Sequence, residues 1–212
     1  MNRSAVLLCG GSGSRFGSNK LLVKLKDKEI FLHSLEKFIS VLGIENIIIV
    51  VSQDQKELFK NVLDESSYGH IQLCNGGKER YHSVLNGLKL CPEDNLVAIH
   101  DAARPFISEN LIRQTFKSAE KHGGAILCKK VSDTIKIKDN HGIKTLTRDH
   151  LTAAETPQIF KCSELKQAIA NVIHKNLFIT DDAHAMELFN KDYFMHIHEG
   201  NNKKITYSSD LD

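Results

Sequence analysis

Between Leu7 and Lys20 the chain reads LLCGGSGSRFGSNK, and these residue types suit the binding of a polyphosphate. Gly10, Gly11 and Gly13 remove side chains where an apolar run that begins at Ala5 gives way to a loop, so backbone N–H groups can approach an anion closely. Arg15 and Lys20 add two cations within reach of the same loop, and N–H donors plus cations are what a bound triphosphate requires. An ordinary glycine-rich connection between a strand and a helix is the plainer reading of the same residues. Two phosphate-binding motifs are excluded. G-x-G-x-x-G from Gly11 meets Phe16 where its last glycine belongs, and no glycine here has a second one five places on followed by Lys.

Other positions offer chemistry of their own. Gly76 and Gly77 expose backbone again, ahead of Arg80 and Ser83. In LVAIHDAARPF, Asp101 ends an apolar run, where carboxylates gather in open α/β sheets. Magnesium keeps several waters and takes only one or two protein carboxylates, so Asp101 alone suffices to hold an ion bridging nucleotide phosphates. The alternative is a turn carboxylate paired with Arg104, and His100 beside it reads as structural. Asp181 and Asp182 suit the first turn of a helix capped by Thr180 better than a metal site. His196 and His198 share one strand face but have no third ligand in view.

Composition narrows the class. With 212 residues, 41% of them hydrophobic, the chain has the material for one substantial core, so a single domain over 1–212 is expected. A net charge of +2, from 28 basic and 26 acidic residues, gives no bulk attraction to nucleic acid or an anionic membrane. Any anion site is therefore a local arrangement. Cys9, Cys74, Cys91, Cys128 and Cys162 are odd in number and lack C-x-x-C, which argues against a disulfide framework and a structural zinc site. The N-terminal apolar run is too short for a signal peptide and no run approaches ~20 apolar residues, so a soluble, cytoplasmic protein is expected.

The elements that must hold these residues follow from periodicity. Helix spacing from Glu29 through Phe31, Leu35, Phe38 and Leu42 stops at Gly43. The unalternating run Ile47 to Val51 marks a strand buried on both faces of a parallel sheet. A polar helix from Gln53 to Leu63, a strand from Ile71 to Cys74 and a helix with Val84 and Leu88 inward come next. Leu96 to Ile99 reads as a central strand, followed by a helix on Leu111, Ile112, Phe116 and Ala119. Thr134 to Lys138 and Ile143 to Arg148 alternate about Asp139-Asn140-His141-Gly142, giving a projecting β-arm at about 131–150. Such an arm has little core of its own, so packing against a partner subunit is expected. Further helices lie at Leu165 to Val172 and around Met186.

Six stretches together resemble one family. They are G-G-x-G-x-R with the following Lys20, GGKERYHSV, H-D-A-A-R-P from His100, T-P-Q from Thr156, T-D-D-A from Thr180, and Asn202-Lys203-Lys204-Ile205-Thr206. In this order they resemble the 2-C-methyl-D-erythritol 4-phosphate cytidylyltransferases, within the sugar-alcohol phosphate cytidylyltransferases. That resemblance implies a three-layer α/β, Rossmann-like nucleotidyltransferase fold of the GT-A-like kind, with a mostly parallel sheet. It implies CTP and a polyol phosphate as substrates, Mg²⁺ or another divalent cation at Asp101, and a homodimer built through the arm. The nucleotide would lie on Gly10, Gly11, Gly13, Gly76, Gly77, Arg80 and Ser83. Arg15 and Lys20 would stabilise charge at the α-phosphate. Arg148 and Lys204 would orient the attacking phosphate, with Thr134, Ala102 and Arg104 also on the acceptor, and Thr134 and Arg148 would reach a neighbour's site. Ribitol-5-phosphate cytidylyltransferases share the loop, the arm and T-P-Q, and a non-catalytic nucleotide-binding regulator would need only the glycines. Cys9-Gly10 stands where the family usually has two alanines, Lys20 lacks the usual flanking proline and glutamine, and Lys78 replaces an often acidic residue. The chain stops at Asp210-Leu211-Asp212, before a final helix that the family leads one to expect.

Overall fold

Five consecutive β-branched residues, Ile47–Val51, have no polar face to turn to water, and every one of them is buried. The computed structural model describes residues 1–10, 19–140 and 142–211. In chain order these form β1 (Arg3–Leu8), a small hairpin of β2 (Lys24–Leu25) and β3 (Lys28–Glu29), α1 (Ile30–Leu42), β4 (Ile47–Val51) and α2 (Lys56–Glu65). There follow β5 (Gln72–Asn75), α3 (Arg80–Leu88), β6 (Leu96–Asp101), α4 (Glu109–His122) and β7 (Gly124–Lys130). The arm strands β8 (Lys136–Asp139) and β9 (Gly142–Thr145), then β10 (Thr152–Lys161), α5 (Cys162–His174), α6 (Asp182–Leu188) and β11 (Phe194–Ile197) complete the chain.

Seven strands make the main sheet in the order β11-β7-β10-β6-β1-β4-β5. Only β10 runs antiparallel to its neighbours, β6 and β7. Along β1 and β4 alternate residues feed two cores. Ala5, Leu7, Ile47 and Ile49 face Phe31, Phe38, Phe59 and Phe116 of α1, α2 and α4. Val6, Leu8, Ile48 and Val50 face Val84, Leu165, Ile169 and Met186 of α3, α5 and α6. Helices on both faces of a mostly parallel sheet give the expected three layers. Gly87 lets α3 lie directly on this sheet, because a Cβ there would come 2.5 Å from Val6 Cγ1.

Several boundaries differ from the sequence expectation. The polar helix begins later, at Lys56, after a separate 3-10 turn at Gln53–Gln55. β7 and β10 are additions to the expected strands. Thr180 does not cap α6: Asp181 does, its Oδ1 accepting from His184 N at 2.9 Å, while Thr180 Oγ1 lies against the His184 ring. All five cysteines are free. No helix among the described residues is long and apolar enough to cross a membrane. The arm strands pair only with each other, Lys136 opposite Thr145 through Asp139 opposite Gly142, and every residue of both is exposed.

Candidate active site

After β1 the chain passes to β4 and β5 on one side and then returns to β6 on the other. The carboxyl ends of β1 and β6 therefore flank a topological switch point, where open α/β sheets leave a crevice. Leu8 and Asp101 are register partners there, so Asp101 stands beside the start of the glycine turn. A cavity of about 310 Å³ opens at this end, and Gly10, Gly76, Gly77, Arg80 and Ser83 line it. Gly11, Gly13 and Arg15 lie outside the described residues. Leu8, Ser52, Gln53, Lys78 and Glu79 complete the wall. Gly77 tolerates no side chain, since a Cβ would meet His82 Cβ at 2.4 Å, and its N–H donates to Ser83 Oγ at 3.0 Å.

Asp101 is the hub of the charges. Lys204 Nζ donates to its Oδ2 at 2.5 Å, and Arg80 Nη2 reaches its Oδ1 at 3.4 Å. Burial works against the charge on Asp101, but Arg80 and then Lys204 outweigh it and hold the carboxyl well below the usual carboxylate range. Asp101 is thus ionised. Its backbone N–H donates to Thr156 Oγ1 at 3.0 Å, fixing the strand end against β10. Arg80 also donates from Nη1 to Asp182 Oδ2 at 2.8 Å. Burial disfavours the guanidinium charge, yet Asp182 and Asp101 together raise its pKa. Lys20 Nζ donates to Ile205 O at 2.9 Å, one residue from Lys204. Two residues 184 positions apart in the chain are thereby gathered at one strand end.

The pairing of Asp101 with Arg104 that the sequence admits is not the one the fold makes. Arg104 donates its backbone N–H to Asp101 O, but its guanidinium turns to Asn202 O at 2.8 Å and to Glu155 Oε1 at 3.6 Å. Glu155 also accepts from Asn202 Nδ2 at 2.7 Å and lies 3.0 Å from His198 Nε2. This buried knot anchors the segment that carries Lys204. Ile205 N donates to Ala103 O at 2.8 Å and pins its far end. Ala102 is fully buried, and its N–H donates to Leu8 O at 3.2 Å. His100 is fully buried too, and burial pushes its pKa down to about 3, leaving a neutral ring against Phe38.

Thr134 and Arg148 sit on the exposed arm rather than in this cluster, with Arg148 Nη1 donating to Ser132 O at 2.7 Å. Glu155 is the contributor that motif reading passes over, while Gln158 and Asp182 lie in the T-P-Q and T-D-D-A stretches without a link to Arg80 being legible there. Their signal in the sequence was faint: polar residues among others of their kind in TAAETPQIF and TDDA, with partners far away in the chain. Among the described residues no three His, Cys, Asp or Glu side chains form a metal-binding group. Asp101 remains as a single ionised oxygen donor.

A doubly covered sheet with a glycine-lined hollow and converging cations at its switch point is built as a nucleotidyltransferase. The sequence matches the family described as 2-C-methyl-D-erythritol 4-phosphate cytidylyltransferase (IspD) over residues 4–212, and the chain belongs to that family. It is 36% identical over 217 residues to the 2-C-methyl-D-erythritol 4-phosphate cytidylyltransferase of Bacillus velezensis, covering 100% of this chain and 93% of that one. Identity to the Clostridioides difficile protein of the same name is 33% over 213 residues, with 98% and 90% covered. Among solved structures, the 4-diphosphocytidyl-2C-methyl-D-erythritol synthase of Anaerococcus prevotii superposes with a TM-score of 0.85 at 29% identity, over 99% of this chain and 92% of that one. The Francisella tularensis 2-C-methyl-D-erythritol 4-phosphate cytidylyltransferase gives 0.84 at 29%, over 100% and 97%.

Proposed function

We propose that this protein transfers CMP from CTP to 2-C-methyl-D-erythritol 4-phosphate, giving 4-diphosphocytidyl-2-C-methyl-D-erythritol and pyrophosphate. A phosphate oxygen of the acceptor attacks the α-phosphorus of CTP and pyrophosphate leaves, with no covalent enzyme intermediate. The observation that carries this reading is the ion pair of Lys204 with Asp101 beside the glycine-lined hollow, which supports a phosphate-binding cation and a carboxylate acting at one point. Family membership supports the substrates.

The work of the chain is positioning and electrostatics. The hollow bordered by Gly10, Gly76, Gly77, Arg80 and Ser83 takes the nucleoside, and Arg15 and Lys20 stabilise charge at the α-phosphate. Lys204 leaves Asp101 for the acceptor phosphate, exchanging one anion for another. Ala102 and Arg104 serve the acceptor from the turn after β6, Arg104 by holding the Lys204 segment. Asp101 fits Mg²⁺ or another divalent cation, because one ionised oxygen is what an ion already carrying phosphate ligands asks of a protein. Such an ion, when bound, neutralises phosphate charge.

Thr134 and Arg148 reach the acceptor phosphate of a partner subunit in a homodimer built through the arm at about 131–150. The exposed Ile137 and Ile143 of the hairpin, 43% and 69% accessible, support that contact. Residues 1–212 act as one cytidylyltransferase domain, and five free cysteines support a cytoplasmic location.

The test is pyrophosphate release from CTP with each polyol phosphate in turn. Release with 2-C-methyl-D-erythritol 4-phosphate supports the proposal. Release only with ribitol 5-phosphate, or with neither, refutes it, the latter in favour of a regulator.

A further inference from the structure

Asp182 opens α6 with its side chain fully buried. An acid placed only to suit a helix dipole belongs in solvent, and a buried carboxylate is costly unless it is paired. Its partner is specific: Oδ2 accepts from Arg80 Nη1 at 2.8 Å, across 102 residues of chain. Burial pushes the Asp182 carboxyl up while Arg80 pulls it down, and the 2.8 Å contact requires both side chains to be held in place.

That geometry comes from β10. Gln158 Oε1 accepts from Asp182 N at 3.0 Å and from Ala183 N at 2.9 Å, while its Nε2 donates to Asp181 Oδ2 at 2.8 Å. Two residues earlier Thr156 accepts from Asp101 N. Both carboxylates that flank Arg80 are therefore tied to one strand. Arg80 closes the ring, nearer to Asp182 at 2.8 Å than to Asp101 at 3.4 Å.

We infer that Asp182 is a positioning residue, which holds the Arg80 guanidinium at the wall of the nucleotide hollow and keeps it from folding onto Asp101. An arginine fork pairs bidentately with any carboxylate it can reach squarely. With the charge of Asp182 gone, Asp101 is the remaining anion beside Arg80. Closure onto it withdraws Arg80 from the hollow and covers the oxygen proposed for the divalent ion. The inference rests on the nucleotide assignment of the hollow made above.

The experiment is a cycle of Asp182→Asn, Arg80→Gln and the double variant, with the CTP dissociation constant read by calorimetry and thermal melts alongside. Asn keeps the shape and an acceptor but not the charge. D182N should weaken CTP binding about 10- to 150-fold, the range of a hydrogen bond to a charged group. The double variant should bind no more weakly than R80Q alone, because the effect passes through Arg80. A lowered melting temperature with unchanged CTP affinity, or a D182N effect that adds in full to R80Q, overturns the inference. Should D182N not fold, Asp182→Glu carries the same cycle, since it keeps the charge but displaces it from the Arg80 guanidinium by one methylene. Absence of CTP binding by the unaltered protein overturns the nucleotide reading, and this inference with it.

Discussion

Replacing Lys204 with Met separates what its pair with Asp101 does for folding from what the lysine does for phosphate. The Lys204 side chain is 42% exposed, so its 2.5 Å contact with Asp101 is screened, and such pairs contribute less than about 1 kcal/mol to stability. Asp101 is not left alone, because Arg80 remains 3.4 Å from its other oxygen. For a chain of this size about 1 kcal/mol moves Tm by about 2–4 °C, so K204M should melt within about 4 °C of the unaltered protein. The acceptor phosphate loses far more. A charge-assisted hydrogen bond is worth about 1.5–3 kcal/mol, a fall of about 10- to 150-fold in kcat/KM. The loss should appear in the KM for polyol phosphate, with the KM for CTP little changed. Lys203→Met is the control, since Lys203 is 57% exposed and pairs with Asp210 at 2.8 Å. Initial rates of pyrophosphate release, with polyol phosphate varied at saturating CTP, decide the matter. Equal kcat/KM in K204M and K203M refutes the reasoning.

Three further predictions follow from packing and titration. His100 is neutral in the fold down to about pH 3, whereas the unfolded chain protonates it below its ordinary value near ~6.5. The unfolded state therefore binds the extra proton as pH falls, and roughly 2 kcal/mol of stability should be lost between pH 7 and pH 5. Urea titrations of His100→Gln at the two pH values should show this loss removed, and an unaltered slope contradicts it. Gly87→Ala puts a methyl 2.5 Å from Val6 Cγ1. Overpacking of that kind costs about 1–3 kcal/mol, and because α3 carries Arg80 and Ser83, melts and CTP calorimetry should both worsen. A change in neither speaks against close packing at Gly87. Substituting Glu for both Ile137 and Ile143 should convert a dimer to monomers in sedimentation velocity and abolish turnover, and a persisting dimer removes the arm from the interface.

Local pattern carried the parts of the fold whose cause is local. Ile47–Val51 is apolar and buried on every residue, and so are Ala5 to Leu8 and Leu96 to Ile99 in the next two strands of the sheet. Asp101 stood out because it ends such a run. Partnerships were hidden for an equally physical reason: the groups that meet are far apart in the chain. Arg80 and Asp182 are separated by 102 residues, Arg104 and Asn202 by 98, and Lys20 and Ile205 by 185. Nothing near Glu155 signals that it gathers Arg104, Asn202 and His198, since its neighbours Ala153, Ala154, Thr156 and Pro157 carry no charge and no partner for it. Thr180 and Asp181 were indistinguishable as caps on type alone. The fold chose Asp181, whose carboxylate also takes a hydrogen bond from Gln158. β10 hid as a strand because its first half, Thr152 to Pro157, is made of small and polar residues and ends in a proline.

A crystal structure of the protein with CTP and magnesium addresses most directly whether the glycine-lined hollow and the Asp101 cluster form one site. The cytosine and ribose should lie against Gly76, Gly77 and Ser83, with the α-phosphate beside Asp101 and the magnesium ion taking the place of Lys204 on that carboxylate. A nucleotide bound elsewhere, or bound here with its phosphates directed away from an undisturbed Lys204–Asp101 pair, contradicts it.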